Sequence, residues 1–144
     1  MSTRCQIVIL EPNGELYPVK IYKHCDGYPE GVMPILAPFA IAFADNRGSD
    51  PEYFIAQCCR AFAFKDLARS QAEADGPYRH NPRKQFTGWG CSTFWHGDIE
   101  YLYVVSAAGS VKILAVDVPS DWPEDKIPPG KEVAWPAEDS EEEE

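Results

Sequence analysis

The sequence predicts an α+β fold in which one antiparallel sheet of about five strands carries two helices on one face. The elements follow one another as strand, strand, helix, helix, strand, strand, strand (ββααβββ). The dipeptide Asn13-Gly14 between the first two strands is a strong hairpin signal. Sequential strands joined by short turns favour antiparallel pairing, and two consecutive helices can then cover one face of the sheet.

The first two strands are predicted over residues 4–10 and 15–24, on either side of that turn. In the first strand the apolar residues Cys5, Ile7 and Ile9 occupy every second position, so they share one face. This alternation is typical of a strand that buries one face.

Two helices are predicted next. The first spans about 30–45, where apolar residues recur at helical spacing: Val32, Ile35, Leu36, Phe39, Ala40 and Phe43. Pro34 and Pro38 each remove a backbone donor, so this helix is expected to begin near Pro34 or to kink at Pro38. The second helix begins at Asp50-Pro51-Glu52, where an N-cap precedes a proline and an acid, and is expected to end near Ala68.

Three later strands are predicted over 85–95, 99–106 and 111–118, which completes a single α+β domain over 1–118. Residues 119–144 are rich in proline and then in acids, and we expect them to be mostly disordered. This tail holds ten acidic and two basic residues, so it carries most of the net charge of −10. The remaining body is nearly neutral.

The composition indicates a cytoplasmic protein. No apolar run approaches the roughly 18 residues that span a bilayer, and the first residues lack the apolar core of a signal peptide. The five cysteines are an odd number without a Cys-x-x-Cys pair, which argues for free thiols in a reducing compartment. The sequence contains no Walker loop or glycine-rich dinucleotide fingerprint, and no cofactor is predicted.

The junction between the second strand and the first helix is the candidate site. Around the turn signal Asp26-Gly27 lie four side chains that can bind a ligand or transfer a proton: His24, Asp26, Tyr28 and Glu30. Counting outward from the hairpin turn places Arg4 roughly opposite His24, so we expect Arg4 to lie within about 12 Å of Asp26. The alternative is that Asp26 and His24 are structural and stabilise the turn.

The pattern His-x-Asp occurs twice, as His24/Asp26 and as His96/Asp98, each time at a strand end. Residues i and i+2 of an extended segment share a face, so each pair could supply two metal ligands. No metal is assigned, because the same aspartates adjoin glycines in turns, where aspartate accepts backbone N–H bonds.

Two charged segments bear on the choice of partner. Residues 76–84 form a basic cluster that resembles a small nucleic-acid contact loop, but the acidic net charge argues against direct nucleic-acid binding and favours a solvated loop. The acidic tail could instead compete for a basic surface of a protein partner, including one that normally binds nucleic acid. The alternative role of the tail is to keep the chain soluble.

One stretch resembles a known family. Tyr22-Lys23-His24-Cys25-Asp26-Gly27-Tyr28-Pro29-Glu30 is similar to the motif Tyr-x-His-Trp-Asp-Gly-Tyr-Pro-Glu of a family of small uncharacterised phage and prophage proteins. Met1-Ser2-Thr3-Arg4 and Asp98-Ile99-Glu100-Tyr101-Leu102-Tyr103-Val104 are similar to further blocks of that family, whereas Cys25 replaces its usual tryptophan. The resemblance implies a phage or prophage origin, a bacterial host cytoplasm and these candidate binding residues: Arg4, His24, Asp26, Tyr28, Glu30, Glu100 and Tyr101.

Two functions follow from these features as hypotheses. The first is a non-enzymatic binding protein that modulates or inhibits a host or phage protein complex, host defence among them. It is favoured because the chain is short, lacks a recognised nucleophile motif and ends in an acidic segment suited to a basic partner. The alternative is a small hydrolase or nucleotide-processing enzyme that uses His24, Asp26 and Glu30.

Overall fold

The computed structural model describes residues 3–74 and 88–136, and only the backbone of 65–74. Within these residues it contains two helices and six strands: β1 (Cys5–Ile9), β2 (Lys20–Lys23), α1 (Pro29–Arg47), α2 (Pro51–Ala74), β3 (Trp89–Ser92), β4 (Tyr101–Val105), β5 (Val111–Val116) and β6 (Gly130–Val133). The predicted α+β class and its two helices are confirmed. Neither described helix is long and apolar enough to cross a membrane.

The strands form one mixed sheet in the order β3-β2-β1-β4-β5-β6. Neighbouring strands are antiparallel except β1 and β4, which run parallel with Ile7 beside Tyr103. The sheet therefore differs from the predicted antiparallel arrangement in this pair and in its sixth strand. The reason is the connection 93–100, which does not form a hairpin. It crosses the sheet instead, so that β4 runs in the same direction as β3 and lies beside β1.

Both helices pack on one face of the sheet, as expected. That face presents the alternating apolar residues of β1 together with Tyr103 and Val105 of β4, and Leu36 and Phe54 of the helices are buried against them. The rings of Phe39 and Phe43 approach Phe54 with centroid distances of 5.3 Å. Aromatic contacts at such distances join the two helices into one layer.

Helix α1 begins at Pro29, which agrees with the predicted span of about 30–45 rather than with a start near Pro34, and it continues through both internal prolines. Pro29 suits the first helical turn, where a backbone N–H would have no intrahelical partner. Pro34 and Pro38 are exposed. The carbonyls that lose their donors belong to Glu30 and Pro34, which are also exposed and can be hydrated, so the helix tolerates both prolines.

The opposite face of the sheet, called the second face below, is also covered. It carries a second buried cluster of Val8, Trp95, Leu102 and Val104. Trp95 belongs to the crossing connection 93–100, so this connection supplies the centre of the cluster. Every residue of β1 is buried as a result, because the strand is covered on both sides.

The chain beyond the expected domain boundary at 118 is more ordered than predicted. Trp122 and Ile127 pack against the second cluster, and β6 pairs antiparallel with β5. The composition did not indicate this order, because the segment has few apolar residues and many prolines and acids. The last part of the predicted disordered tail, 137–144, lies outside the described residues.

We therefore expect the segment after Val118 to contribute to stability. A chain that ends at Val118 loses Trp122, Ile127 and β6, and burial of two such side chains stabilises a protein by about 2–3 kcal/mol. For a domain of this size the melting temperature should fall by roughly 5–10 °C. The control chain ends at Pro136 and keeps every described contact. Equal melting of the two truncated chains, measured by circular dichroism, would contradict the packing of this segment.

Candidate functional site

The turn between β2 and α1 is anchored by backbone hydrogen bonds. The His24 N–H donates to the Gly88 carbonyl at 2.9 Å, and the Gly27 N–H donates to the Thr3 carbonyl at 2.8 Å. Asp26 adopts a left-handed conformation with φ of 57°, which aspartate tolerates better than most residues. The Asp26-Gly27 turn signal is therefore used to bring the start of α1 against the beginning of β1.

Gly27 occupies a space that admits no side chain. A Cβ atom at this position would lie 2.8 Å from Cys5 Cβ and 2.9 Å from the Cys5 backbone nitrogen. The Gly27 carbonyl accepts a buried hydrogen bond of 2.6 Å from Tyr103 Oη. Burial raises the pKa of Tyr103, so its hydroxyl remains a donor at any ordinary pH. The turn is thus locked onto β1 and β4.

The predicted site residues fall into two groups around this turn. Cys5 is paired with Lys23, so the next step of the register places Arg4 beside His24, as expected from the hairpin. Because the Gly27 N–H bonds the Thr3 carbonyl, the backbones of Asp26 and Arg4 are also close. The Arg4 carbonyl additionally accepts the Glu100 N–H at 2.9 Å.

The side chains around the turn do not form a joined cluster. His24, Asp26, Tyr28 and Glu30 are all exposed. In the described part of the chain, no hydrogen bond or ion pair connects the side chains of His24, Asp26 and Glu30. Glu100 is exposed, while Tyr101 is half-buried against the helix-side core. The backbone of the motif is organised, whereas its polar side chains project into solvent.

A connected polar cluster does form on the second face, around Asp98. Tyr22 Oη donates to Asp98 Oδ2 at 3.1 Å, and Arg4 Nε lies 3.1 Å from the same oxygen. The side-chain Nε atom of Arg4 is buried and makes no hydrogen bond, so its contact with Asp98 is an ion pair alone. Burial, followed by the hydrogen bond to Asp98, raises the pKa of Tyr22, so its hydroxyl stays protonated and donates.

The two residues of the second His-x-Asp pair both contact Tyr22 but do so through different groups. The His96 ring stacks on Tyr22 with centroids 3.8 Å apart, and Phe94 lies 4.9 Å from His96. Asp98 instead pairs with Arg4 and Tyr22. Among the described residues, no group of three or more histidines, cysteines and acids is arranged to hold a metal ion. The basic segment 76–84 lies outside the described residues.

Two buried polar side chains hold the crossing connection on the second face. Gln6 donates from Nε2 to the Phe94 carbonyl at 3.2 Å and accepts the His96 N–H at 2.9 Å. Lys20 donates to the Thr93 carbonyl at 2.6 Å. Burial lowers the pKa of Lys20, whereas nearby carboxylates oppose that change. Sequence reasoning did not single out Gln6 or Lys20, since a polar residue at an alternate strand position usually faces solvent.

A groove of about 490 Å³ opens between the crossing connection and the C-terminal segment. Its lining includes the aromatic residues Phe94, Trp95 and Trp122 together with the acids Asp121 and Glu124. A hydrogen bond holds the two sides of the groove together, because Trp95 Nε1 of the crossing connection donates to the Pro123 carbonyl of the C-terminal segment at 2.9 Å. Phe94 is half exposed and both acids are exposed, so an aromatic surface lies next to negative charge.

We expect Gly27→Ala to destabilise the fold. The added methyl meets the backbone of β1, which cannot move away easily, and overpacking of this kind costs about 1–3 kcal/mol. Gly90→Ala is the matched control, because a Cβ at Gly90 meets nothing within 4 Å. Urea unfolding of both variants measures the effect. A Gly27→Ala variant as stable as Gly90→Ala would show that the turn does not lie against β1.

Comparisons with protein-family models, with curated proteins and with solved structures found no significant match to this chain.

Proposed function

We propose that this protein is a non-enzymatic binding protein that engages a basic surface of a host or phage protein complex. The observation that carries the proposal is the groove on the second face, where the exposed side chain of Phe94 and the half-buried Trp122 share a lining with the acids Asp121 and Glu124. Arginine and lysine side chains bind such surfaces well, because they stack on aromatic faces and pair with carboxylates at the same time. A basic segment of a protein partner is the matching occupant.

The distribution of charge supports this choice. Asp121 and Glu124 line the groove, and its described lining contains no basic residue. The ammonium of Lys20 on the same face is buried and is already bound to backbone carbonyls. The two carboxylates therefore favour encounters with basic partners, an effect that weakens with added salt.

The rigidity of the groove supports binding as well. Phe94 is held through its carbonyl by Gln6, and Trp122 Nε1 donates to the Lys126 carbonyl at 2.9 Å. These bonds restrain the backbone at Phe94 and the ring of Trp122, and a restrained surface loses less conformational freedom on binding, which favours affinity. The resemblance to phage proteins makes a complex of the bacterial host cytoplasm, including a defence complex, the target that we propose.

A binding assay with a fluorescent oligo-arginine peptide tests the groove directly. We expect Asp121→Asn/Glu124→Gln to weaken binding about tenfold at low salt, since a factor of ten corresponds to about 1.4 kcal/mol. Asparagine tolerates the positive φ of 60° at Asp121, so the double variant keeps the backbone. The charge-matched control is Asp45→Asn/Glu52→Gln on the helices, which should bind within about twofold of the unaltered protein.

An aromatic pair of variants separates stacking from charge. Phe94→Ala should weaken peptide binding about fivefold, since one exposed cation–π contact contributes about 1 kcal/mol. Phe64→Ala is the control, because it also removes an exposed phenylalanine (67% exposed), but one that lies on α2. Equal effects of the groove and control variants would contradict the proposal.

Affinity capture from bacterial lysate then distinguishes the binding protein from the hydrolase alternative. We expect a partner that is retained at low salt and released at high salt, both by the unaltered protein and by His24→Ala/Asp26→Asn. A bound nucleotide or divalent metal that disappears in this double variant, without any captured protein, would support the enzyme instead.

A further inference from the structure

Four of the five cysteines meet between α2 and the sheet. Cys5 of β1 and Cys58 of α2 are fully buried, Cys59 of α2 is half-buried, and Cys91 of β3 is exposed. The Sγ atoms of Cys59 and Cys91 lie 3.9 Å apart, although the two residues are 32 positions apart in the sequence. The fold therefore brings two thiols from different elements into contact at the surface.

The two thiols of this pair differ in their access to solvent. Burial raises the pKa of Cys59 to about 12, and the neighbouring Cys91 adds to this effect through its charge and its hydrogen bond. Cys59 is therefore protonated at neutral pH and can donate its S–H toward Cys91. Cys91 is exposed on the strand at one end of the sheet, so a dissolved oxidant reaches it first.

The buried cysteines next to this pair are poor competitors. Burial raises the pKa of Cys58 well above its usual range and that of Cys5 to about 12. Both side chains are fully enclosed, so they have neither the thiolate nor the access that oxidation requires. The geometry thus separates one reactive pair from two thiols that serve in packing.

We infer that Cys59 and Cys91 form a reversible oxidation site that links α2 covalently to β3 in response to peroxide. A disulfide requires the sulfur atoms to approach to about 2.05 Å, so the pair must close by roughly 2 Å. Cys91 can supply part of this movement. Among the described strands β3 is the last one at its side of the sheet and pairs with β2, and a Cβ at Gly90 beside Cys91 would meet nothing within 4 Å.

The chemistry balances with hydrogen peroxide as the oxidant. The Cys91 thiolate attacks one peroxide oxygen, the O–O bond breaks, and Cys91 becomes a sulfenic acid while hydroxide leaves and takes up a proton to form water. Cys59 then loses its proton and attacks the Cys91 sulfur, and the sulfenic hydroxyl leaves as a second water. Two thiols and one peroxide thus give one disulfide and two waters. A dithiol reductant reverses the step by thiol–disulfide exchange.

Oxidation of the full chain with hydrogen peroxide, followed by unfolding and alkylation, tests the inference. Before alkylation, we expect the intact mass to fall by about 2 Da, the mass of two hydrogens, in a species that dithiothreitol restores. The alkylatable thiols should fall from five to three. Peptide mapping without reductant should show the segment containing Cys59 joined to that containing Cys91.

Single variants assign the cross-link, because Cys58 and Cys59 are adjacent and share one peptide. The product should disappear in Cys59→Ala and in Cys91→Ala. It should persist in Cys58→Ala and in Cys25→Ala, the latter removing the other thiol that lies near the start of β3. Should Cys58→Ala fail to fold, Cys25→Ala still provides the control.

Persistence of the cross-link in Cys91→Ala or Cys59→Ala would overturn the inference. A gain of about 16 or 32 Da without an internal cross-link would also overturn it, because Cys91 would then be oxidised only to the sulfenic or sulfinic acid.

Discussion

The parallel pairing of β1 with β4 at the centre of the sheet determines where the rest of the chain lies. β1 already pairs with β2 through the hairpin, so β4 takes its other edge, and the chain leaving β3 must cross the sheet to reach that position. The crossing covers the face that the helices leave open. A strand that would otherwise be half solvated is therefore buried along its whole length.

Burial of polar groups under this crossing creates the surface to which we assign binding. Gln6 and Lys20 lose contact with water, and a buried polar group without a partner costs about 1–3 kcal/mol. Both find partners in the backbone carbonyls and N–H groups of residues 93–96. These bonds fix the backbone so that the Phe94 side chain is exposed to solvent and the Trp95 side chain is buried. The same interactions that satisfy the core thus present an aromatic side chain beside the acids of the C-terminal segment.

Local signals predicted the parts of the fold that are close in sequence. The Asn13-Gly14 turn reverses the chain between β1 and β2, since Glu15 N–H bonds Asn13 Oδ1 and Gly14 adopts a φ of 88°. Counting outward from this turn placed Arg4 roughly opposite His24, in agreement with the pairing of Cys5 with Lys23. The start of α2 followed equally from its proline and acid at the first positions.

Features that depend on distant residues could not be predicted in this way. No local pattern pairs Cys5 with Tyr101 or brings Cys59 to Cys91. The ion pair of Arg4 with Asp98 also depends on the crossing connection. The backbones of Arg4, His24 and Asp26 therefore lie close together as predicted, but the side chain of Arg4 pairs with Asp98 instead. Packing of Trp122 was concealed because an acidic, proline-rich segment resembles disorder in composition.

The fold and the proposed groove both depend on the placement of residues 93–98 across the second face, which nuclear Overhauser measurements can detect. We expect cross-peaks from the Trp95 indole ring to the methyl groups of Val8 and Leu102, since all three side chains belong to one buried cluster. We also expect slow exchange of the Trp95 indole N–H, which is bonded to the Pro123 carbonyl. A freely exchanging indole without those cross-peaks would contradict the crossing, the parallel pairing that requires it and the groove built upon it.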